Sequence, residues 1–85
     1  MDANVALADE RSSVEFAYRT DGDRLWRAVY AWSGDADVAS DAVAEAFAQL
    51  LHRGAAVRDP SAWAWRTAFR VAAGAMKARR AADEI

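Results

Sequence analysis

The 85-residue chain is predicted to fold as a small all-α domain: a three-helix bundle, or a four-helix bundle if its first helix breaks near Gly22. Two observations predict this fold class. Apolar residues recur at intervals of three and four along three segments, which is the period of an amphipathic helix rather than a strand. Residues typical of helix ends separate these segments, so each segment is expected to form its own helix.

The first helix is predicted over residues 13–32. Its apolar side chains fall on one helical face and are Val14, Tyr18, Leu25, Val29 and Trp32. Asp21-Gly22 is a plausible break, because glycine disfavours a helix interior and aspartate can cap a new helix. Ser33-Gly34-Asp35 is expected to end the helix. Residues 1–12 show no clear period and are expected to form a mobile acidic tail.

The second helix is predicted over residues 36–53, with Gly54 as its C-terminal stop. The side chains expected to be buried follow the helical spacing and are Ala39, Val43, Ala46, Phe47 and Leu50. Asp37, Asp41 and Glu45 recur every four residues on the opposite face. This helix is therefore expected to bury one apolar face and to present carboxylates to its surroundings.

The third helix is predicted over residues 60–80. Asp59 can cap its first free N–H groups, and Pro60 suits the first turn because its missing N–H would have had no partner there. The stripe expected to be buried consists of Trp65, Phe69, Ala72 and Met76. Residues 81–85 are expected to form a short C-terminal tail.

A cationic stripe runs beside that apolar stripe on the third helix. At about 100° per residue, its members share one narrow face and are Arg66, Arg70, Lys77 and Arg80, with Trp63 at the edge. Cations neutralise phosphates and a flat ring can stack on an unpaired base, so nucleic acid is the natural partner. The alternative is a solvated face whose basic side chains cover apolar surface, with Trp63 in the core.

Charge is divided along the chain. Residues 1–48 carry four basic and ten acidic side chains, whereas residues 49–80 carry seven basic and one acidic side chain. Opposed charge blocks in one small domain suggest two partners of opposite sign. A preference for acids and bases at opposite helix ends would produce the same division without any partner.

Composition argues against several functional classes. The chain has no cysteine, and its single histidine, His52, leaves no metal cluster. No apolar run approaches the roughly 18 residues of a membrane span, and residues 1–10 lack the pattern of a secretory signal. The carboxylates of the second helix have no second ligand cluster, phosphate loop or nucleophile to complete a catalytic site. We expect one soluble cytoplasmic domain that binds no membrane, metal or cofactor and is not an enzyme.

Several segments resemble one family in their order and spacing. Residues 40–47 (SDAVAEAF), 57–60 (VRDP) and 62–68 (AWAWRTA) resemble the second conserved region of bacterial extracytoplasmic-function (ECF) sigma factors. Residues 22–27 (GDRLWR) and 33–35 (SGD) are also similar to that family. The resemblance runs from about Phe16 to Arg80 and implies a helical bundle of the sigma region 2 type over residues 13–80.

The resemblance implies two partners. The family's acidic motif meets the clamp helices of the largest RNA polymerase subunit; Asp41 and Glu45 stand at the matching positions, and Asp37 shares their face. The family's last helix engages the non-template single strand of the promoter −10 element, and Trp63 and Arg66 match positions near that strand. The loop before this helix accommodates an extruded base in the family. Two arginines, Arg53 and Arg58, lie in the corresponding segment.

The chain departs from the family pattern at Ala44, Arg70 and Gly74. Arg70, with Lys77 and Arg80, is placed on the DNA face by helical projection alone. The family's fourth region, which reads the −35 element, has no counterpart here, and the chain is either an isolated domain or an excised fragment. The promoter sequence and the inducing signal cannot be read from the residues.

We therefore expect a promoter −10 recognition and melting domain that takes part in transcription initiation and is monomeric when isolated. An anti-sigma factor is a further partner that the resemblance allows. One alternative is a sigma-like interaction module, or mimic, that binds polymerase or an anti-sigma factor without opening DNA. Another alternative is an unrelated small helical DNA-binding domain.

Overall fold

The computed structural model describes the backbone of residues 3–84, and side chains over residues 13–84 except at Ala55. Three helices follow one another as α1 (Ala3–Ser33), α2 (Ala36–Arg53) and α3 (Pro60–Asp83), with a 3-10 turn at Gly54–Ala56. Within residues 3–84 no strand forms, so the predicted all-α class is confirmed. None of the helices in this range is long and apolar enough to cross a membrane.

Helix α1 is longer than predicted and unbroken. It begins at Ala3 instead of residue 13, because residues 3–12 contain neither glycine nor proline and so lack a local stop signal. Gly22 lies inside the helix with buried backbone, so the first helix does not divide and the bundle has three helices. Met1 and Asp2 lie outside the described residues, and the mobility expected of residues 1–12 remains a prediction.

Helix α2 has the bounds predicted for it. The Asp35 carboxylate accepts a hydrogen bond from the Val38 N–H at 3.0 Å, which caps the first turn. At the other end Gly54 adopts a φ of +55°, and its N–H donates to the Leu50 carbonyl. All five side chains expected to be buried on this helix are buried.

Helix α3 begins as predicted and ends later. The Asp59 carboxylate accepts from the Ala62 N–H at 3.1 Å, and Pro60 occupies the first turn. The helix continues to Asp83 instead of ending at residue 80, since the alanines and arginines of residues 78–82 are good helix formers. Most of the expected C-terminal tail is therefore helical, and Ile85 lies outside the described residues.

Small side chains form the buried face of α3. The fully buried residues of this helix are Ala64, Ala68 and Ala72, with Thr67 at 3% exposure. The predicted buried stripe is therefore only partly correct: Trp65, Phe69 and Met76 are half-buried and pack against the edge of the core. Two large side chains on the predicted apolar face of α1, Tyr18 and Trp32, are 55% and 54% exposed.

Polar contacts tie the three helices together. The Trp26 indole N–H donates to the Ser40 hydroxyl at 3.0 Å and joins α1 to α2. The Ser61 hydroxyl donates to the Asp21 carboxylate and joins α3 to α1. Arg79, near the end of α3, pairs with Asp35 at the start of α2. These contacts hold both ends of α3 in register with its neighbours.

Two glycines give a direct test of the helix boundaries, because both have room for a Cβ atom but they differ in backbone conformation. A Cβ added to either Gly34 or Gly74 would meet no atom within 4 Å, but Gly34 has a φ of +70° and Gly74 lies within α3. We expect Gly74→Ala to stabilise the protein by about 1 kcal/mol, and Gly34→Ala to destabilise it by about 1 to 2 kcal/mol. Urea unfolding of both variants measures the difference, and equal effects would contradict these boundaries.

Candidate functional site

The three carboxylates expected on the outer side of α2 are all exposed. The side chains of Asp37, Asp41 and Glu45 lie on one face of the helix and are exposed to solvent, so a binding partner can reach them. The Glu45 carboxylate accepts a hydrogen bond from the Gln49 amide at 2.9 Å. Among the described residues no basic side chain forms an ion pair with any of the three. Their charge is therefore available to a cationic partner, and these three residues are called the acidic face below.

A groove between α1 and α2 borders the acidic face. It contains two adjoining cavities of about 400 and 960 Å³, which share the lining residues Tyr18, Arg19 and Ala44. Phe47 forms part of the floor of the larger cavity, and Leu51 lines it while remaining 51% exposed. The acidic face thus lies beside apolar surface that could accept a side chain from a docked protein.

The four cations predicted to share a face of α3 are all exposed and project away from the core. These residues are Arg66, Arg70, Lys77 and Arg80, and they are called the cationic face below. Within the described part of the chain no carboxylate pairs with any of them. Arg79 differs, because it turns toward α2 and pairs with Asp35. The helix therefore presents four unneutralised charges to an anionic partner.

The two arginines before α3 take different positions. The Arg53 guanidinium lies over the Trp63 ring, 5.5 Å from its centroid, while Trp63 is half-buried against the core. Arg58 is exposed in the connection, next to Val57, which packs against the core and anchors that connection. The structure thus brings Arg53 to Trp63 at the start of α3, an arrangement that residue spacing alone does not predict.

A row of aromatic rings occupies the seam between α1 and α3. Trp65 stacks on Phe69 with centroids 6.3 Å apart, and Phe69 meets Trp32 in an edge contact at 5.9 Å. The sequence pattern placed Trp32 on the apolar face of the first helix, and it was not among the predicted site residues. Its place in the last turn of α1, two residues before Gly34, was the one indication of its exposure, because a side chain at the end of a helix can extend beyond the packed core.

Comparisons of the chain with protein-family models, with curated proteins and with solved structures found no match. Among the described residues, no group of three or more histidine, cysteine, aspartate or glutamate side chains could hold a metal ion. Four features therefore remain as the basis for a functional assignment. They are the acidic face, the neighbouring groove, the cationic face and the aromatic side chains of α3.

The contact between Arg53 and Trp63 predicts a measurable coupling. In a double-mutant cycle with Arg53→Gln and Trp63→Leu, we expect a coupling free energy of about 0.5 to 1 kcal/mol, the usual strength of an exposed cation–π contact. Urea unfolding of the four proteins measures it. The matched control replaces Arg53→Gln with Arg58→Gln, which removes the same charge nearby. If the control pair couples as strongly, the interaction is general electrostatics and the assigned contact is wrong.

Proposed function

We propose that this chain is the promoter −10 recognition and melting domain of a bacterial ECF sigma factor, docking on the RNA polymerase clamp helices in the cytoplasm. The observation that carries the proposal is the presence of two exposed faces of opposite charge on neighbouring helices of one bundle, neither of which forms an ion pair with any side chain that the structure describes. The sequence resemblance described above supports the same assignment and gives each face its partner.

The acidic face suits a basic protein surface. Its carboxylates stand one helical turn apart, so they can meet a row of basic side chains on a facing helix. The adjoining groove offers apolar surface, which gives a protein partner more to bind than charge alone. Charge complementarity mainly raises the association rate and selects the partner, and apolar contact supplies lasting affinity.

The cationic face suits a strand of nucleic acid. Four cations along α3 can follow a phosphate backbone, and each contact releases counterions and so favours binding. Extruding a base costs a few kcal/mol, which contacts to the opened strand have to offset. Aromatic rings beside the cations supply such contacts. Only an unpaired base can stack on such a ring, so these contacts favour the opened strand over the duplex.

A second candidate function is a sigma-like module that binds polymerase or an anti-sigma factor without opening DNA. The contact between Arg53 and Trp63 favours this candidate, because one face of the ring expected to stack on DNA is already engaged by a guanidinium. Under this alternative the acidic face and its groove keep their role, whereas the cationic face has no preference for single strands.

Docking on the clamp helices is tested with charge reversals. We expect the double substitution Asp41→Lys and Glu45→Lys to weaken binding to a purified clamp-helix fragment at least about ten-fold, because it sets like charges against each other. Surface plasmon resonance measures the affinity. The matched control is Asp83→Lys with Glu84→Lys, the same charge change at the exposed end of α3. If the control weakens binding equally, net charge and not the acidic face controls docking.

Strand binding is tested by the salt dependence of affinity. We expect Arg66→Gln and Arg70→Gln each to weaken binding to a labelled single-stranded oligonucleotide and to reduce the slope of log affinity against log salt by about 0.7. Fluorescence anisotropy at several salt concentrations gives both quantities. Arg79→Gln is the control, because its guanidinium lies off the cationic face and pairs with Asp35.

The outcomes separate the candidates. Preference for the single strand over the matching duplex supports the sigma domain. Clamp-helix binding without any strand preference supports the interaction module. A steep salt slope with equal affinity for every duplex, and no clamp-helix binding, would indicate an unrelated DNA-binding domain.

A further inference from the structure

Trp32 ends the aromatic row in the seam between α1 and α3. Trp65 and Phe69 are half-buried within that row, whereas Trp32 is 54% exposed and is the most exposed of the four tryptophans. One side of the Trp32 ring contacts Phe69 in an edge arrangement, with the two ring centroids 5.9 Å apart. The row therefore ends in an indole that is held on one side and open to solvent on the other.

This indole borders the cationic face. Around the axis of α3, Phe69 stands about 60° from Arg66 and about 20° from Arg80, at 100° per residue. Phe69 therefore stands at one edge of the cationic face, on the side away from Trp63, and Trp32 lies on that same side because it packs against Phe69. A strand whose phosphates follow the cationic face could therefore turn a base toward the Trp32 ring at this edge.

Trp63, the stacking residue expected from the sequence, is less available. It is half-buried, and the Arg53 guanidinium lies over its ring at 5.5 Å from the centroid. A base stacked on the same ring face would have to displace that guanidinium. The exposed indole of Trp32 has no such neighbour among the cation–π contacts of the described residues.

We infer that Trp32 stacks on an unpaired base of a single strand held by the cationic face. The inference rests on the proposed function, to which it adds a base-contacting residue on α1. Stacking on an indole is open to every base, so Trp32 contributes affinity for unpaired DNA and little sequence preference. It also discriminates against duplex, where both faces of each base are already stacked.

The test compares two substitutions of Trp32 by fluorescence anisotropy with a short, mixed-sequence, labelled single-stranded oligonucleotide. Trp32→Leu keeps an apolar contact to Phe69 but removes the stacking face, and it is expected to weaken binding about five- to thirty-fold. Trp32→Tyr retains a ring and should bind within about three-fold of wild type. Neither substitution removes a phosphate contact, so the salt slope should stay unchanged.

Tyr30→Leu is the matched control. Tyr30 is also an exposed aromatic residue of α1, but it stacks on Trp26, whose indole bonds to Ser40 of α2, and so it lies away from α3. Its loss should leave strand affinity unchanged. A second measurement uses the wild-type protein, whose fold is intact, with a strand whose bases are replaced by abasic sites. Its affinity should fall at least as far as the loss expected for Trp32→Leu, because abasic sites remove every base that could stack.

Each result decides the inference. Unchanged affinity in Trp32→Leu, equal loss in Trp32→Tyr, or wild-type binding that is indifferent to abasic sites would each overturn it. If Arg66→Gln still weakens binding in those cases, the proposed strand-binding function stands and only the role of Trp32 fails. If the wild-type protein binds no single strand at all, that part of the proposed function fails together with the inference.

Discussion

The packing of α3 through alanine is the constraint on which the rest of the structure depends. Ala64, Ala68 and Ala72 are fully buried, and α2 likewise buries Ala39, Ala42 and Ala46 to 1% exposure or less. Small side chains let helix backbones approach closely, and such a seam has no room for an indole or a phenyl ring. The large aromatic residues of α3 are therefore displaced to the two flanks of the seam. At 100° per residue, Trp63 falls on one flank, and Trp65 and Phe69 fall on the other.

This displacement creates the chemistry of α3. With its core face occupied by alanine and its flanks by aromatic rings, the cations are left on the side that points away from the bundle. Charges there are exposed and have no ion-pair partner within the described side chains, and the rings beside them are only half-covered. A surface that combines free cations with accessible ring faces can bind phosphate and base together, which neither feature achieves alone.

Helix boundaries could be predicted from the sequence where a single residue controls them, and could not where none does. Asp35, Gly54 and Asp59 act through their own carboxylate or φ angle, so the limits of α2 and the start of α3 followed from local chemistry. The start of α1 was placed too late, because residues 3–12 show no clear apolar period that would predict a helix. The buried face of α3 was predicted only in part: Ala72 is buried, but the larger Trp65, Phe69 and Met76 are half-buried, because hydrophobic periodicity gives most weight to the largest side chains. The structure instead buries the smallest side chains, the alanines. Which face of α3 is buried depends on the helices that pack against it, and the sequence of α3 alone does not show this.

The candidate site could likewise be predicted only in part from the sequence. Exposure of the acidic face and the cationic face followed from period alone, since a charged stripe that lies opposite or beside an apolar one faces water. The partners of the aromatic residues did not, because Arg53 with Trp63 and Phe69 with Trp32 join different helices or the ends of different segments. In a three-helix bundle each helix turns one face inward, so the outer faces of α2 and α3 point in different directions. The protein and strand partners proposed for this small domain would therefore contact surfaces on different helices.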